Sequence, residues 1–184
     1  DRTGLLEAPP EAVEKVADRL DRIAERCGPA IVTYSNPAKT LAAELADSLP
    51  VIWTEGTSAG PAGRRFAAAL AELSGTPAVV SELPEALDAH STLLAGRLAA
   101  GADPDDFFRD RVEETPALHA RVVLLRDRPI GGLTAAPAAR DLALGHDTPI
   151  SELEPEAGGE LETLAELIAI TDFAAVYLAL ASGA

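Results

Sequence analysis

The sequence predicts an α/β fold: a three-layer αβα sandwich in which helices cover both faces of a five-stranded, mostly parallel sheet. Three observations carry that expectation. Strand-like apolar runs of four to six residues alternate with longer helical stretches along the chain, the pattern of successive βαβ units with right-handed crossovers. The 47% hydrophobic content is largely Ala with only 4% aromatics, which suits close-packed helices on an aliphatic sheet buried on both faces. A length of 184 residues suffices for one such domain with its own core.

The elements follow in order. Asp1 to Pro10 is linker-like, with Pro9-Pro10 ahead of a helix. Glu11 to Arg26 is amphipathic, with Val13, Val16, Leu20 and Ile23 at three- and four-residue steps, and Gly28-Pro29 stops it. Ala30 to Tyr34 reads as the first strand. Asn36-Pro37 supplies a cap and a first-turn proline for a helix over Lys39 to Leu49. Val51 to Thr54 is the second strand, and Gly56-Thr57-Ser58-Ala59-Gly60 is a loop into a helix that ends near Ser74-Gly75. Pro77 to Val80 is the third strand and Pro84 to Leu98 a helix. Asp103-Pro104-Asp105-Asp106 opens a further helical turn through Arg111. Arg121 to Leu125 is the most apolar strand, Arg126 to Gly132 a loop, and Thr134 to Leu144 a helix. Pro149 to Leu153 is the fifth strand, and Gly159 to Ala181 a long, apolar closing helix. Five strands so connected suit a flavodoxin-like sheet, whose ligands bind beyond the carboxyl ends of the strands. Residues 1–28 read as a linker and lead helix from a preceding domain, and 29–184 as the domain proper.

Charge and composition exclude several classes of function. A net charge of -15 argues against nucleic acid and anionic membrane as partners. It leaves room for a small phosphorylated ligand, held locally by backbone amides and a few Arg. No run of about 18 apolar residues and no signal peptide is read, so a soluble cytoplasmic protein is expected. The single cysteine, Cys27, allows no intrachain disulfide and reads as a half-buried small hydrophobe. The chain begins at Asp1 and contains no methionine, so a piece of a larger protein is expected.

The chemistry concentrates between Arg64 and His90. A helix carries Glu72 near its end, and a second helix, beyond a short strand, carries His90. A carboxylate and an imidazole are the side chains most often used to move protons at neutral pH. The loop before them offers Thr57 and Ser58 and free backbone amides at a helix start, suited to an oxyanion or a sugar hydroxyl, though a plain helix cap is the simpler reading. Arg65 is the cation grouped with them as a substrate contact. Neither dinucleotide nor P-loop glycine patterns occur. His90, His119 and His146 are far apart, no metal site stands out, and no cofactor is expected.

These segments together resemble the second sugar-isomerase (SIS) domain of bifunctional phosphoglucose/phosphomannose isomerases. Ser35-Asn36-Pro37-Ala38-Lys39, with Leu41-Ala42 and Leu45 and then Leu49-Pro50-Val51-Ile52, matches one stretch. Arg64-Arg65-Phe66 to Glu72 and Pro77-Ala78 resembles the helix that ends in the family's Asn-Glu-Asn-Ala-Lys-x-Pro-Ala. Leu83-Pro84-Glu85 to His90 resembles its Leu-Pro-Glu-Leu-Asn-His-Asn element. Gly159-Glu160-Leu161 through Asp172-Phe173 to Tyr177-Leu178-Ala179-Leu180 is similar to its closing helix.

The resemblance implies that Glu72 is the base that shuttles a proton between C1 and C2 of an open-chain phosphosugar. It implies that His90 opens the ring, lent across a homodimer interface. The substrate would be glucose 6-phosphate or mannose 6-phosphate, converted to fructose 6-phosphate. The main phosphate loop would belong to a missing N-terminal SIS domain, and the family's C-terminal lysine would fall beyond Ala184. The chain departs from the pattern around both residues. Ala71 and Leu73 flank Glu72, Gly75 stands where the family has lysine, and Ala89 and Ser91 flank His90. A non-catalytic phosphosugar-binding or dimerisation module is the alternative implied by those departures.

Overall fold

The sheet is built on β1, Ser48–Glu55, whose last six residues are buried. A strand enclosed on both faces has to be apolar on both sides, and Pro50-Val51-Ile52-Trp53 is. The structure, a computed structural model, describes residues 8–96, 98, 118–127 and 132–183. β1 pairs with β2, Val79–Glu82, on one side and with β3, His119–Arg126, on the other; β4, Ile150–Leu153, lies outside β3. All pairings are parallel, with Val51 level with Val79 and Val122, and Leu124 level with Glu152.

Among the described residues the helices are α1 Pro10–Cys27, α2 Pro37–Leu45, α3 Ala59–Ser74, α4 Glu85–Ala95, α5 Ala136–Gly145 and α6 Glu160–Ser182. Side chains alternate across the sheet and divide the core in two. Val51, Trp53, Val122 and Leu124 pack on Ala86 and Leu94 of α4 and on Ala136, Ala139 and Ala143 of α5. Ile52, Val123 and Leu125 pack on the other face, against α1, α2, α3 and α6. The division follows from connection handedness. The step from β1 to β2 and the step from β2 across to β3 run in opposite directions, so right-handed crossovers place α3 and α4 on opposite faces.

Local chemistry fixes the helix ends. Asn36 Oδ1 accepts from the Lys39 amide at 3.0 Å, with Pro37 in the first turn of α2. Gly75 ends α3 with φ 66°, a left-handed cap that a Cβ would strain. Inside α3, Gly63 lets the helix approach β1: a Cβ there would lie 2.6 Å from Thr54 Cγ2.

Four strands, not five, form the sheet among the described residues. The expected strand over Ala30 to Tyr34 is instead a turn followed by a 3-10 turn at Thr33–Ser35. Its carbonyls are taken by α2 side chains rather than by a neighbouring strand. Lys39 Nζ donates to Pro29 O and Ile31 O, both at 2.8 Å, and Thr40 Oγ1 donates to Thr33 O at 2.9 Å. With the backbone satisfied this way, Tyr34 stays 88% exposed. The helical turn expected at Asp103 to Arg111 lies outside the described residues. The helix expected to reach Leu49 stops at Leu45, because β1 already begins at Ser48.

α1, expected as a lead helix from a preceding domain, packs into this core through buried Ile23 and Cys27. Its Arg19 is buried and donates to Glu166 and to the Glu156 and Ala157 carbonyls. α6, 23 residues long, is apolar and long enough by length and composition to cross a membrane, although the sequence reading expects no such run. Here it is the central helix of its layer, with Leu167, Ile170, Ala174, Ala175 and Leu178 in the core.

Candidate functional site

Two parts of the molecule bear on the function expected from the sequence: the carboxyl edge of the sheet, and the Glu72 and His90 side chains. At the carboxyl edge, helices depart to opposite faces after β1 and β3, which are neighbours. That divergence opens the crevice where ligands of open α/β sheets bind. The residues that build it are Glu55, Gly56, Thr57 and Ser58 after β1, Asp127 after β3, and the start of α6. Gly56 turns the chain with φ 103°. Thr57, Asp127, Gly158, Glu160 and Thr163 line a small cleft of about 80 Å³. A neighbouring cleft of about 220 Å³ shares Asp127 and Thr163 and adds Arg126, Glu154, Glu156 and the Pro155-Ala157 backbone.

The groups in this crevice are already paired with one another. Ser58 is buried; its hydroxyl contacts Thr163 Oγ1 at 3.1 Å and donates to Glu160 O at 3.3 Å. Its amide donates to Asp127 Oδ2 at 3.3 Å. The buried Glu55 carboxylate accepts from Thr134 Oγ1 and from the Ala135 amide, and Arg126 Nε lies 3.4 Å away. Arg126 also donates to Glu154 at 3.2 Å. The helix-start amide that could hold an oxyanion therefore faces a protein carboxylate. Among the described residues the lining carries Asp127, Glu154, Glu156 and Glu160 around Arg126, which is already paired, while Glu156 also pairs with Arg22 and Arg26; this mainly acidic described lining disfavours a phosphate dianion. Of the three residues expected to bind substrate, Thr57 lines the crevice and Ser58 staples α3 to α6. Arg65 lies elsewhere, on the outer surface of α3, donating to Asp172 Oδ2 at 2.7 and 3.2 Å. Asp172, and more weakly Glu72, hold the Arg65 guanidinium above its ordinary pKa.

Glu72 and His90 are not brought together within the chain. α3 follows β1 and runs back antiparallel to it, so Glu72, two residues before the end of α3, lies toward the amino edge of the sheet. It is exposed on the α3/α6 face and makes no hydrogen bond or ion pair among the described residues. His90 lies on the opposite face, on the inward stripe Ala86–His90–Leu94 of α4. There it is buried, and its Nδ1 accepts the indole N–H of the fully buried Trp53 at 2.8 Å, with the two rings stacked at 27°. Burial pushes the imidazole pKa below its usual value, so it is neutral near pH 7. Because Nδ1 is an acceptor, the neutral ring carries its proton on Nε2. In that state the ring can donate from Nε2. A second proton would have to go on Nδ1, and the imidazolium, a donor at both nitrogens, would lose the hydrogen bond from Trp53.

Trp53, Glu55 and Asp127 were not singled out as site residues from the sequence. An acidic residue directly after an apolar strand was the available signal for Glu55 and Asp127. The two larger clefts, of about 450 and 470 Å³, flank the outer strand β4 and contain none of the expected site residues. Among the described residues no group of three His, Cys, Asp or Glu side chains is arranged to hold a metal ion.

Comparison with known proteins gives this architecture a family. In fold the chain is similar to a glucose-6-phosphate isomerase like protein from Thermus thermophilus, with a TM-score of 0.69 and 20% identity over 95% of this chain and 51% of that one. A weaker likeness, with a TM-score of 0.49 and 16% identity, is to the C-terminal domain of glucosamine-fructose-6-phosphate aminotransferase from Francisella tularensis; it covers 95% of this chain and 48% of that one. The chain thus spans about half the length of the solved structures it matches. A search of curated proteins gave no match. The family model for the bacterial phospho-glucose isomerase C-terminal SIS domain matches residues 34–184, and on that match, over most of its length, the chain belongs to this family.

Proposed function

We propose that the chain is the C-terminal half of a phosphosugar aldose–ketose isomerase that interconverts glucose 6-phosphate or mannose 6-phosphate with fructose 6-phosphate. The observation that carries the reading is Glu72. It is an exposed carboxylate with no hydrogen bond or ion pair among the described residues, at the position to which the sequence resemblance assigns the base. In the reaction, Glu72 takes the proton from C2 of the open-chain aldose and a cis-enediol forms. The carboxylic acid then returns the proton to C1, while the hydroxyl proton at C2 moves to the oxygen at C1. A single carboxylate over both carbons suffices. Ala71 and Leu73 offer it no hydrogen bond, so orientation has to come from the surface that closes over it. The electronegative crevice of this chain is consistent with the phosphate being held by another domain.

A second reading, a non-catalytic phosphosugar-binding or pairing module, is favoured by one observation. The His90 imidazole, the expected ring-opening group, is committed to Trp53. Counted without a gap from Leu83-Pro84-Glu85, moreover, the sixth position of the family element is Asp88, which is exposed, whereas His90 is two residues further on.

The discriminating experiment is a coupled assay of the full-length protein with each hexose phosphate. Isomerase activity that falls roughly 10²–10⁴-fold in Glu72→Gln supports the first reading. Activity that survives Glu72→Gln overturns the assignment of the base. Phosphosugar binding by calorimetry without turnover establishes the second reading.

A further inference from the structure

β4 is an outer strand, and its far edge faces no other strand among the described residues. In a parallel ladder one residue bonds to the two that flank its partner. Val122 is level with Ile150, and its amide donates to Pro149 O at 2.9 Å, so Ser151 turns its main-chain groups toward β3. The N–H and C=O of Ile150 and of Glu152 therefore point outward, and they have no partner among the described residues.

A cleft lies on each side of this edge. On the α2 side, where Ser151 reaches Glu44, is the cleft of about 450 Å³, walled by Tyr34 and Pro37. On the α5 side, where Ile150 and Glu152 point, is the cleft of about 470 Å³. Its floor is apolar: Leu144, 75% exposed, with Pro149 and Ile150. Its lining also carries Asp141 and Asp147, both exposed and in no ion pair among the described residues. Arg140 is not free to neutralise them, since it donates to Glu152 at 2.7 Å.

We propose that β4 accepts an extended segment of a partner protein as an added strand, with a Lys or Arg of that segment level with Ile150 and an apolar residue on either side of it. An added strand sends alternate side chains to opposite faces, and the two clefts stand where those side chains fall. The cationic residue lays its aliphatic stem over Leu144 and Pro149 and brings its head to Asp141 and Asp147. Its neighbours turn to the other face, against Tyr34 and Pro37. Charge selects the occupant: the chain carries a net charge of -15 and two unpaired carboxylates at this cleft, so the edge attracts a cationic segment and repels a copy of itself. β4 is only four residues long, so few main-chain bonds form and the cation supplies the selectivity.

The probe is a fluorescent peptide, Thr-Val-Lys-Val-Thr, titrated into the full-length protein and followed by polarisation. It binds, and hydrogen exchange of the segment containing β4 slows. Replacing its Lys by norleucine weakens binding roughly two- to fivefold, and Asp141→Asn/Asp147→Asn does the same. Both positions are exposed, and Asn tolerates the positive φ of 51° at residue 147, so that variant keeps the wild-type circular dichroism. N-methylation of alternate peptide residues distinguishes an added strand from a charged patch: one set abolishes binding, and the other, whose N–H faces solvent, leaves it. None of these variants touches Glu72, so the outcome is independent of the isomerase reading. A wild type that does not bind the peptide, binding indifferent to both charge removals, or equal binding of the two methylated sets overturns the proposal. So does a wild type whose self-association in sedimentation velocity is lost in Leu144→Glu, which gives this edge to a second copy.

Discussion

The Trp53–His90 hydrogen bond shows how one residue's environment decides its chemistry. An imidazole in the core of a protein is stable only in its neutral form unless a charge faces it, and here the facing group is an indole N–H. The linkage has a definite sign. The folded pKa of His90 is lowered by burial, while in the unfolded chain it returns to about 6.5. The stability it contributes is thus fully present above about pH 6.5 and is lost as the pH falls toward the folded value, because only the unfolded state takes the proton there. Urea titrations at about pH 7 and about pH 5 should show the wild type losing more stability on acidification than His90→Asn, which cannot titrate. Equal losses would mean that His90 is protonated equally in both states. Trp53→Phe removes the donor together with the pyrrole half of a fully buried indole, leaving an unpaired Nδ1 and a cavity, and should cost at least about 1–3 kcal/mol at neutral pH.

At the scale of elements, packing of α3 on β1 depends on Gly63. An alanine there gains up to about 1 kcal/mol of helix propensity. Its Cβ, however, would lie 2.6 Å from Thr54 Cγ2 and 3.3 Å from Ile52 Cγ2, both in the buried sheet. Neither branched side chain can withdraw without moving β1, so Gly63→Ala is expected to be net destabilising by about 1–3 kcal/mol in chemical denaturation. A neutral or stabilising result would show that the helix can lift off the sheet without loss. The strands and α-helices of the described residues are legible because each is a short apolar or periodic run, most of them bounded by Gly, Pro or a cap such as Asn36. Ala30 to Tyr34 was equally apolar, and nothing local revealed that Lys39 and Thr40 would take its carbonyls. The burial of His90 did have a signal, the four-residue spacing Ala86–His90–Leu94, which places it on the inward stripe. The separation of Glu72 from His90 had none, because it depends on the strand order β2-β1-β3-β4, and sequence patterns do not encode which strand lies beside which.

At the scale of the whole molecule, Arg19 determines where the folding unit ends. Its guanidinium is buried between α1 and α6, donating to Glu166 and to the Glu156 and Ala157 carbonyls, with Glu162 at 3.4 Å. Glu166 is buried as well, and besides Arg19 it has one further donor, the Glu156 amide at 3.2 Å. Removing one member of a buried pair is worse than never having had the pair, since the survivor keeps its charge and loses its compensation. Arg19→Met fills similar space without the charge and should cost about 3–5 kcal/mol, a large fraction of the stability of a domain this size. A chain shortened to begin at Pro29 loses the same cation together with Ile23 and Cys27 from the core, and is expected to be insoluble or unfolded. Adding Glu166→Gln to Arg19→Met separates the two parts of the loss. If the stranded charge is the main cost, the double variant recovers much of the stability in thermal melts; if lost packing of α1 is the main cost, it does not. A stable, cooperatively folding chain beginning at Pro29 would show instead that α1 is an attachment, and that the sheet with α2 to α6 is the complete folding unit.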